Sequence, residues 1–439
     1  MSQSAQSEPE RVEPGRLPAR ALAAVLAGRS AAWLSRRLGR GRGTTVGGHV
    51  ARVIDPDLLA RLTRGHQVVL VSGTNGKSTT ARLTAEALGG AGTVGLNRGG
   101  ANMTEGIVLA AAAGRRSRRF VFEVDESYLG RIAAQTTPSV LALLNLSRDQ
   151  LDRVSEVARV AARWRADVAG LPSTTVVLAN ADDPLVAWAA EPAERTGSVL
   201  WLAPGGSAFR GDATLCPRCH ALLTLEETGW SCTGCGVRRP EPVLWLDETG
   251  ARHRDGRHWA LPDTLPGRVN RANAMTALAV ALVAGVDPDQ ALRRMSLVEA
   301  VDGRYERWAL LGRQVRLLLA KNPAGWAELL DMLDPDAAVV VAVNARAADG
   351  RDTSWLWDVD FERLAGRAVG VSGDRRADVA VRLEVAEVDV RVCADIAETL
   401  AALPAGRVDI AANYTAMQDL RAVLEAGTRL PGRGGEDVG

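Results

Sequence analysis

The segment 67–80 constrains the fold of this chain more than any other, because it joins a buried strand, a glycine loop and a helix start. The apolar run Val68–Val71 predicts a strand that is buried on both faces, as in a parallel sheet. The loop Gly73–Gly76 follows, and a helix-compatible run begins at Lys77. This order of elements is typical of an open α/β sheet whose first loop binds phosphate.

The residues of this loop have the chemistry that a phosphate site needs. Glycines let backbone N–H groups turn toward phosphate oxygens, and the helix N-terminus adds positive potential. Lys77 supplies a mobile cation, and the hydroxyl of Ser78 or Thr79 can bind Mg²⁺. The general Walker A spacing is not met, because its first glycine would fall at Val71. The predicted ATP-binding residues of the loop and helix start are Gly73, Thr74, Asn75, Gly76, Lys77, Ser78 and Thr79.

The rest of the chain predicts two α/β units. Strand-like runs that alternate with helical stretches indicate a doubly wound sheet; they lie at 67–72, 119–124, 139–144 and 175–179. A second set lies at 315–320, 338–343, 368–372 and 408–411. We expect a tail and N-terminal helix at 1–43, a central ATP-binding domain at 44–303 with an insertion at 205–262, a C-terminal Rossmann-like domain at 304–430, and a tail at 431–439.

The N-terminal region predicts a disordered tail followed by one helix. Residues 1–20 are polar and lack the apolar core of a signal peptide. Residues 21–38 predict a helix with four apolar side chains on one side, Leu22, Val25, Leu26 and Trp33. No uncharged apolar run reaches the length of about 18 residues that a membrane span needs. Because four of the five cysteines form one cluster, we expect a cytoplasmic protein and no disulfide framework.

The cysteine cluster predicts a zinc ribbon. Two Cys-x-x-Cys pairs, separated by twelve residues, offer the four thiolates of a tetrahedral zinc site; they are Cys216, Cys219, Cys232 and Cys235. Four protein ligands close the coordination shell, so the predicted role of the metal is structural. The segment 216–220 also matches the pattern of c-type haem attachment, and a redox dithiol is a further alternative. The second cysteine pair and the missing secretory signal argue against both.

Acidic and amide side chains follow several of the predicted strands. Glu123 and Asp125 end the run at 120–122, and the segments 145–152 and 180–183 follow two further strands. Ligand groups of open α/β sheets collect at the carboxyl ends of strands. A carboxylate at such a position can hold Mg²⁺, which prefers oxygen ligands.

Together these motifs resemble, in order, those of the Mur ligase and folylpolyglutamate synthase superfamily. The matching segments are 73–78, 123–126, 145–152, 180–184, 267–273 and 302–306. The resemblance implies ATP-dependent amide formation, in which a carboxylate takes the γ-phosphoryl group and an amine attacks the acyl phosphate. It implies that Lys77 and Ser78 bind phosphates and Mg²⁺, that Glu123 is a second Mg²⁺ ligand, and that Asn273, Asp182 and Arg304 contact or approach the nucleotide.

Three departures from the superfamily pattern restrict which members of the superfamily this chain can resemble. Only residues 1–66 precede the strand that leads into the loop, whereas peptide-forming Mur ligases begin with a sizeable domain for the UDP-sugar substrate. No lysine lies between Lys77 and Lys321, so a carbamoylated lysine cannot serve as a Mg²⁺ ligand in the central domain. Gln150 stands where the superfamily often has histidine.

With the cysteine cluster and the segment 349–358, the chain is similar to the Mur-ligase-like subunits of lipid II isoglutaminyl synthase. That family implies a heterodimer with a GatD-type glutaminase, which delivers ammonia to the D-glutamate α-carboxylate of lipid II at the membrane surface. It also implies that an aspartate of the C-terminal domain completes the Cys–His pair of the glutaminase. Asp358 is the favoured residue and Asp352 the rival.

Two other functions remain open from the residues alone. A stand-alone ligase of the folylpolyglutamate synthase type would act without a glutaminase. A non-enzymatic zinc-ribbon module would bind ATP and nucleic acid or a scaffold, although the net charge of +1 provides no general attraction to nucleic acid.

Overall fold

The computed structural model describes residues 17–39, 43–90, 93–147, 154–205, 213–226, 229–299, 305–310, 312–393 and 395–428. Within these ranges the predicted α/β class is confirmed, because parallel strands dominate two separate sheets. Residues 1–16 of the tail predicted at 1–20, the tail predicted at 431–439 and the domain boundary predicted at 303–304 lie outside the described residues. The first helix begins at Ala19, two residues before its predicted start. No helix in the described ranges is both long and apolar enough to cross a membrane.

The first unit contains the loop of interest. Its helices are α1 (Ala19–Arg37), α2 (Thr44–Ile54), α3 (Leu58–Thr63), α4 (Lys77–Ala87), α5 (Thr104–Ala113), α6 (Leu129–Thr136), α7 (Val154–Ala169), α8 (Pro184–Glu194), α9 (Arg268–Val283) and α10 (Pro288–Met295). Its strands are β1 (Gln67–Ser72), β2 (Val94–Leu96), β3 (Arg119–Glu123), β4 (Val140–Leu143), β5 (Val176–Asn180), β6 (Val199–Ala203), β7 (Leu223–Glu226), β8 (Gly229–Cys232), β9 (Leu244–Leu246), β10 (Ala251–His253) and β11 (His258–Trp259).

The main sheet of this unit has the strand order β11-β10-β9-β6-β5-β4-β1-β3-β2 in the described part of the chain. Strand β1 pairs in parallel with both β3 and β4, so the glycine loop leaves the centre of the sheet. Val68 and Leu70 pack toward α1, α3 and α5, whereas Val69 and Val71 pack toward α4 and α9. Both faces are therefore covered, and burial of each such side chain contributes about 1.5–3 kcal/mol.

The insertion predicted at 205–262 is shorter in the structure. Strands β9, β10 and β11 extend the main sheet, with β9 parallel to β6. Leu244, Leu246 and Trp259 are buried in the same core as α9, which explains why this segment joins the sheet. The separate module is limited to 213–226 and 229–239, where β7 and β8 form a small antiparallel sheet.

The second unit contains the C-terminal sheet. Its strands are β12 (Tyr305–Leu310), β13 (Arg313–Leu319), β14 (Ala338–Ala342), β15 (Val369–Ser372), β16 (Val390–Val392) and β17 (Arg407–Ala412). Its helices are α11 (Pro323–Met332), α12 (Arg376–Val385), α13 (Ile396–Ala402) and α14 (Tyr414–Thr428), with 3₁₀ turns at Ser354–Asp358 and Phe361–Leu364. The strand order of the described residues is β12-β13-β17-β14-β15-β16, and only β12 is antiparallel to its neighbour. One apolar core continues from α4 and α9 of the first unit to Trp326 and Leu329 of α11.

Candidate nucleotide site and cysteine cluster

The glycine loop turns tightly into α4 at the carboxyl end of β1. Gly76 precedes α4 with φ of 83°, a left-handed conformation that favours glycine. A Cβ at this position would lie 2.6 Å from the Oδ1 atom of Asn273 in α9. Because α9 lies directly behind the loop, only a residue without a side chain fits between them.

The loop is held against the carboxyl end of β4 by reciprocal hydrogen bonds. The backbone N–H of Asn75 donates to Asn145 Oδ1 at 2.8 Å, and Asn145 Nδ2 donates to the Asn75 carbonyl at 3.0 Å. The N–H of Thr74 donates to the Asn145 carbonyl at 2.9 Å. These bonds fix the backbone of the loop before any ligand binds, which is the preorganisation that a phosphate site requires.

Lys77 is buried, and its ammonium group faces the loop. Its Nζ atom donates to the carbonyls of Gly73 and Thr74, and it lies 3.2 Å from both carboxylate oxygens of Glu126. Burial raises the pKa of Glu126, although the charge of Lys77 acts in the opposite direction. Glu126 belongs to the motif 123–126, in which the resemblance assigns a role only to Glu123.

Ser78 and Glu123, the predicted Mg²⁺ ligands, lie in direct contact. The Ser78 hydroxyl donates to Glu123 Oε2 at 2.8 Å, and Asn102 Nδ2 lies 3.4 Å from Glu123 Oε1. Asn97 holds the backbone of Glu123 through two hydrogen bonds of 2.8 and 2.9 Å. A hydroxyl and a buried carboxylate are oxygen donors that suit Mg²⁺, so these residues fit the ion. Thr79, the alternative hydroxyl, is also buried.

The three remaining residues predicted to contact or approach the nucleotide are Asn273, Asp182 and Arg304, and they do not share one location. Asn273 accepts a hydrogen bond from the Thr80 hydroxyl at 3.0 Å and therefore supports the loop from behind. Asp182 uses both carboxylate oxygens, accepting from the Gly205 N–H at 2.7 Å and from Arg239 Nε at 2.6 Å. It connects the end of β5 to the cysteine module. Arg304 lies outside the described residues.

The four predicted cysteines converge at one point in space. Their sulfur atoms all lie within 4.8 Å of one another, with 3.6 Å between Cys216 and Cys235 and 3.4 Å between Cys219 and Cys232. Sulfur atoms around a tetrahedral zinc ion, with bonds of about 2.3 Å, would be about 3.8 Å apart. The cluster could therefore hold a zinc ion, and its geometry is consistent with the predicted ribbon.

The two cysteine pairs have the same backbone turn. The N–H of His220 donates to the Cys216 carbonyl, and the N–H of Gly236 donates to the Cys232 carbonyl, both at 2.9 Å. His220 and Gly236 both have positive φ. Hydrogen bonds from the backbone of Cys235, and to a smaller extent other groups, lower the pKa of the Cys232 thiol to about 7. Backbone hydrogen bonds in the turns thus favour the thiolate, which is the form that binds metal, whereas burial raises the pKa of the Cys216 thiol and hydrogen bonds among the thiols raise that of Cys219.

The cysteine module packs firmly on the first unit. Trp230 is buried, and its Nε1 atom donates to the Ala181 carbonyl at 2.9 Å. Arg218 forms an ion pair of 2.9 Å with Glu191 on α8. Together with the bond between Arg239 and Asp182, these contacts attach the module next to the carboxyl end of β5.

The two candidate aspartates of the C-terminal unit lie on its surface, at opposite ends of the 3₁₀ turn Ser354–Asp358. Asp352 accepts a hydrogen bond from the Ser354 N–H at 2.8 Å, and this bond lowers the pKa of its carboxyl group. Asp358 is exposed beside Trp357, whose side chain is 57% exposed. The loop before the turn is anchored by Asp349, which accepts from the Thr415 N–H at 2.9 Å. Neither aspartate is part of the group formed by Lys77, Ser78 and Glu123.

Comparison with known proteins identifies related sequences over both units. Residues 71–204 match the family model of the Mur ligase middle domain, and residues 319–417 match that of the MurT ligase C-terminal domain. The MurT subunit of lipid II isoglutaminyl synthase (glutamine-hydrolyzing) from Streptococcus pneumoniae is 32% identical over 433 residues, covering 91% of this chain and 96% of the relative. The corresponding protein of Staphylococcus aureus is 29% identical over 388 residues, covering 82% and 86%.

A solved structure shows the same fold. The pseudomurein peptide ligase type C from Methanothermus fervidus superposes with a TM-score of 0.63 at 18% identity, covering 84% of this chain and 80% of that structure. The fold and the nucleotide loop define a ligase of the Mur type, a class whose fold implies the use of ATP and Mg²⁺. Within this class, the chain belongs to the MurT family.

Proposed function

We propose that this chain is the activating subunit of a glutamine-dependent amidotransferase that converts the D-glutamate α-carboxylate of lipid II into the amide of D-isoglutamine. The observation that carries the proposal is the match to MurT over nearly the whole length of both chains. The contact between Ser78 and Glu123 beside the buried Lys77 supports it, because that group suits the binding of a nucleotide with its Mg²⁺.

The proposed reaction has two steps. An oxygen of the substrate carboxylate attacks the γ-phosphorus of ATP, and ADP leaves with the electron pair of the broken P–O bond. The nitrogen of ammonia then attacks the acyl carbon, inorganic phosphate leaves, and the nitrogen loses a proton to give the amide. Backbone N–H groups of the loop and the ammonium group of Lys77 orient the phosphates and balance their charge. Ser78 and Glu123 would hold Mg²⁺, which supplies further positive charge at the phosphates when bound.

We propose that the ammonia comes from a GatD-type glutaminase that docks on the C-terminal unit. Asp358 is our first choice for the residue that orients its catalytic histidine, because it is exposed and lies next to the exposed Trp357. Asp352 remains the rival, although its carboxylate already accepts a local hydrogen bond from Ser354. A carboxylate at this position would fix the histidine tautomer and stabilise its charged form.

We also propose that the cysteine cluster holds a structural zinc ion. All four ligand positions would be filled by cysteine sulfur, which leaves no position for substrate or water. The ion would stabilise the module that Asp182 and Trp230 attach to the first unit.

The test of the function is reconstitution of the complex. The chain is purified with a co-encoded glutaminase and supplied with ATP, Mg²⁺, glutamine and lipid II. We expect the mass change of a carboxyl-to-amide conversion, and we expect it to require both ATP and glutamine. Addition of an amino acid without any glutaminase would instead indicate the stand-alone ligase. Salt-dependent nucleic-acid binding without any turnover would indicate the non-enzymatic module.

The assignment of Asp358 has its own prediction. In the complex, Asp358→Ala should lower glutamine hydrolysis by about 10²–10⁴-fold, because the glutaminase histidine would lose the carboxylate that orients it. Amidation with added ammonium salt should continue, since the ATP site is unchanged. The measurement is glutamate release beside amide formation from each nitrogen source. Asp360→Ala, which removes an exposed carboxylate two residues away, is the matched control. Loss in Asp352→Ala but not in Asp358→Ala would transfer the role to the rival.

A further inference from the structure

Helix α1 buries its small residues and exposes its large ones. Ala21, Ala24, Gly28 and Ala32 are buried against the rest of the first unit. On the opposite side, Leu22, Leu26 and Trp33 are 43%, 57% and 53% exposed. Val25, which the sequence predicted on the same side as these three, is instead buried. A surface helix normally has the reverse arrangement, with large apolar side chains inward and polar ones outward.

The small residues allow α1 and α2 to pack very closely. A Cβ added at Gly28 would lie 2.8 Å from the Gly47 carbonyl oxygen and 2.9 Å from the Cβ of Ala51. The inner side of α1 is thus occupied by close contacts between small residues, together with Val25, which is buried in the apolar core. The large apolar residues of the helix make no comparable contact within the described chain, although they are costly to leave in water.

Helix α1 itself is strongly positive. It contains four arginines and no acidic residue, whereas the whole chain has a net charge of only +1. Arg29 and Arg37 lie on the same side of α1 as Leu22, Leu26 and Trp33, because these positions are separated by whole helical turns. The guanidinium carbon of Arg37 lies 5.2 Å from the ring centre of Trp33. We call these five residues the outer face of α1.

We propose that the outer face of α1 binds the surface of an anionic lipid bilayer. Leucine and tryptophan side chains can enter the boundary between headgroups and acyl chains, where the amphipathic indole ring is favoured. The arginine stems can lie along this apolar surface while their guanidinium groups reach the lipid phosphates. A protein partner could also offer acidic groups to the same arginines. A flat bilayer, however, contacts one whole side of a helix, and the five residues of the outer face lie along one side of α1.

Membrane binding of this kind does not depend on the identity of the carboxylate substrate. It would nevertheless bring the nucleotide site close to a lipid-linked substrate. Helices α1 and α2 pack on α5, and α5 begins two residues after Asn102, whose side chain contacts Glu123.

The experiment is co-sedimentation of the full-length protein with vesicles of phosphatidylglycerol and phosphatidylcholine in equal amounts. We expect binding to these vesicles at low salt and little binding to pure phosphatidylcholine. The double variant Leu26→Glu with Trp33→Glu should weaken binding at least about tenfold, because it places two charges in the apolar boundary. The double variant Arg29→Gln with Arg37→Gln should weaken binding about fivefold per arginine and reduce its salt dependence.

Leu297→Glu is the matched control, because Leu297 is 74% exposed after α10 and lies far from α1 in sequence. It should bind vesicles as the wild type does. Unchanged thermal unfolding of all variants would show that they fold. The proposal would be overturned if the wild type did not bind the anionic vesicles, or if the α1 variants bound them as well as the wild type does. It would also be overturned if the α1 variants kept vesicle binding but lost the binding of a protein partner or of a second copy of the chain. Vesicle binding that occurs only after removal of residues 1–16 would also overturn the proposal, because residues 1–16 would then be the segment that covers the outer face of α1.

Discussion

Replacement of Lys77 by alanine should reduce ATP-dependent amidation at least about 10³-fold, since the site would lose the ammonium group that balances charge on the transferred phosphoryl group. No other lysine lies in the sequence before Lys321, so the first unit has no substitute for it. The variant should fold, because the polar contacts of the Lys77 side chain are with two loop carbonyls and Glu126, and Lys77 is not among the residues of the apolar core clusters. The loss should therefore appear in turnover and not in thermal unfolding.

The measurement is amide formation by the reconstituted complex, together with nucleotide binding by calorimetry. Arg82→Ala is the matched control, because Arg82 is a cation on the same helix that forms an ion pair with Glu86 away from the loop. Glutamine hydrolysis by the partner should persist in both variants. Amidation at the wild-type rate in Lys77→Ala would remove the nucleotide-site assignment.

Loss of zinc should have the second large effect. Cys216→Ser should release the metal and lower the free energy of unfolding of the cysteine module by about 3 kcal/mol or more, because a structural zinc ion contributes its binding energy to folding. Cys216 is fully buried, so the serine cannot turn toward solvent. Metal content and hydrogen exchange at 213–226 and 229–239 provide the measurement.

Cys393→Ser is the control, since Cys393 is the one cysteine of the chain outside the cluster. It should keep its zinc and its exchange protection. The buried Trp230 should become exposed only in the cluster variant, because its hydrogen bond to Ala181 depends on the folded module. A wild-type protein that contains no zinc and remains protected would contradict the structural role.

The parallel strands were readable from the sequence because both of their faces are buried. Val68–Val71 and 120–122 are continuous apolar runs for that reason. Strand β16 was not among the predicted strands, although Val388, Val390 and Val392 alternate with polar residues. It is a short edge strand, and two of its three residues are exposed, so it lacks the continuous apolar run of the other strands. Strands β9 to β11 were assigned to the insertion, because strands of two or three residues beside Pro and Gly do not show a pattern that distinguishes sheet from loop.

The residues of the site could be predicted where they belong to a motif. Contacts between residues that lie far apart in the sequence were harder to predict. The contact of Ser78 with Glu123 depends on the pairing of β1 with β3. The sequence predicted only that both residues lie at the carboxyl ends of strands, where ligand groups collect. The ion pair between Lys77 and Glu126 depends on the path of the chain after β3, which residue spacing does not specify. The bond of Asp182 to Arg239 could not be predicted, because it depends on how the module docks.

One contact of the glycine loop reaches the other unit. The Nδ2 atom of Asn75 lies 3.4 Å from Oδ1 of Asn322, and the same oxygen accepts from the Gly325 N–H at the start of α11. A rotation of the C-terminal unit would break this bond. The conformation of the loop and the angle between the two units are therefore energetically coupled. By reciprocity, a glutaminase or substrate that favours one angle must change the affinity for ATP, and ATP must change the affinity for that ligand by the same factor.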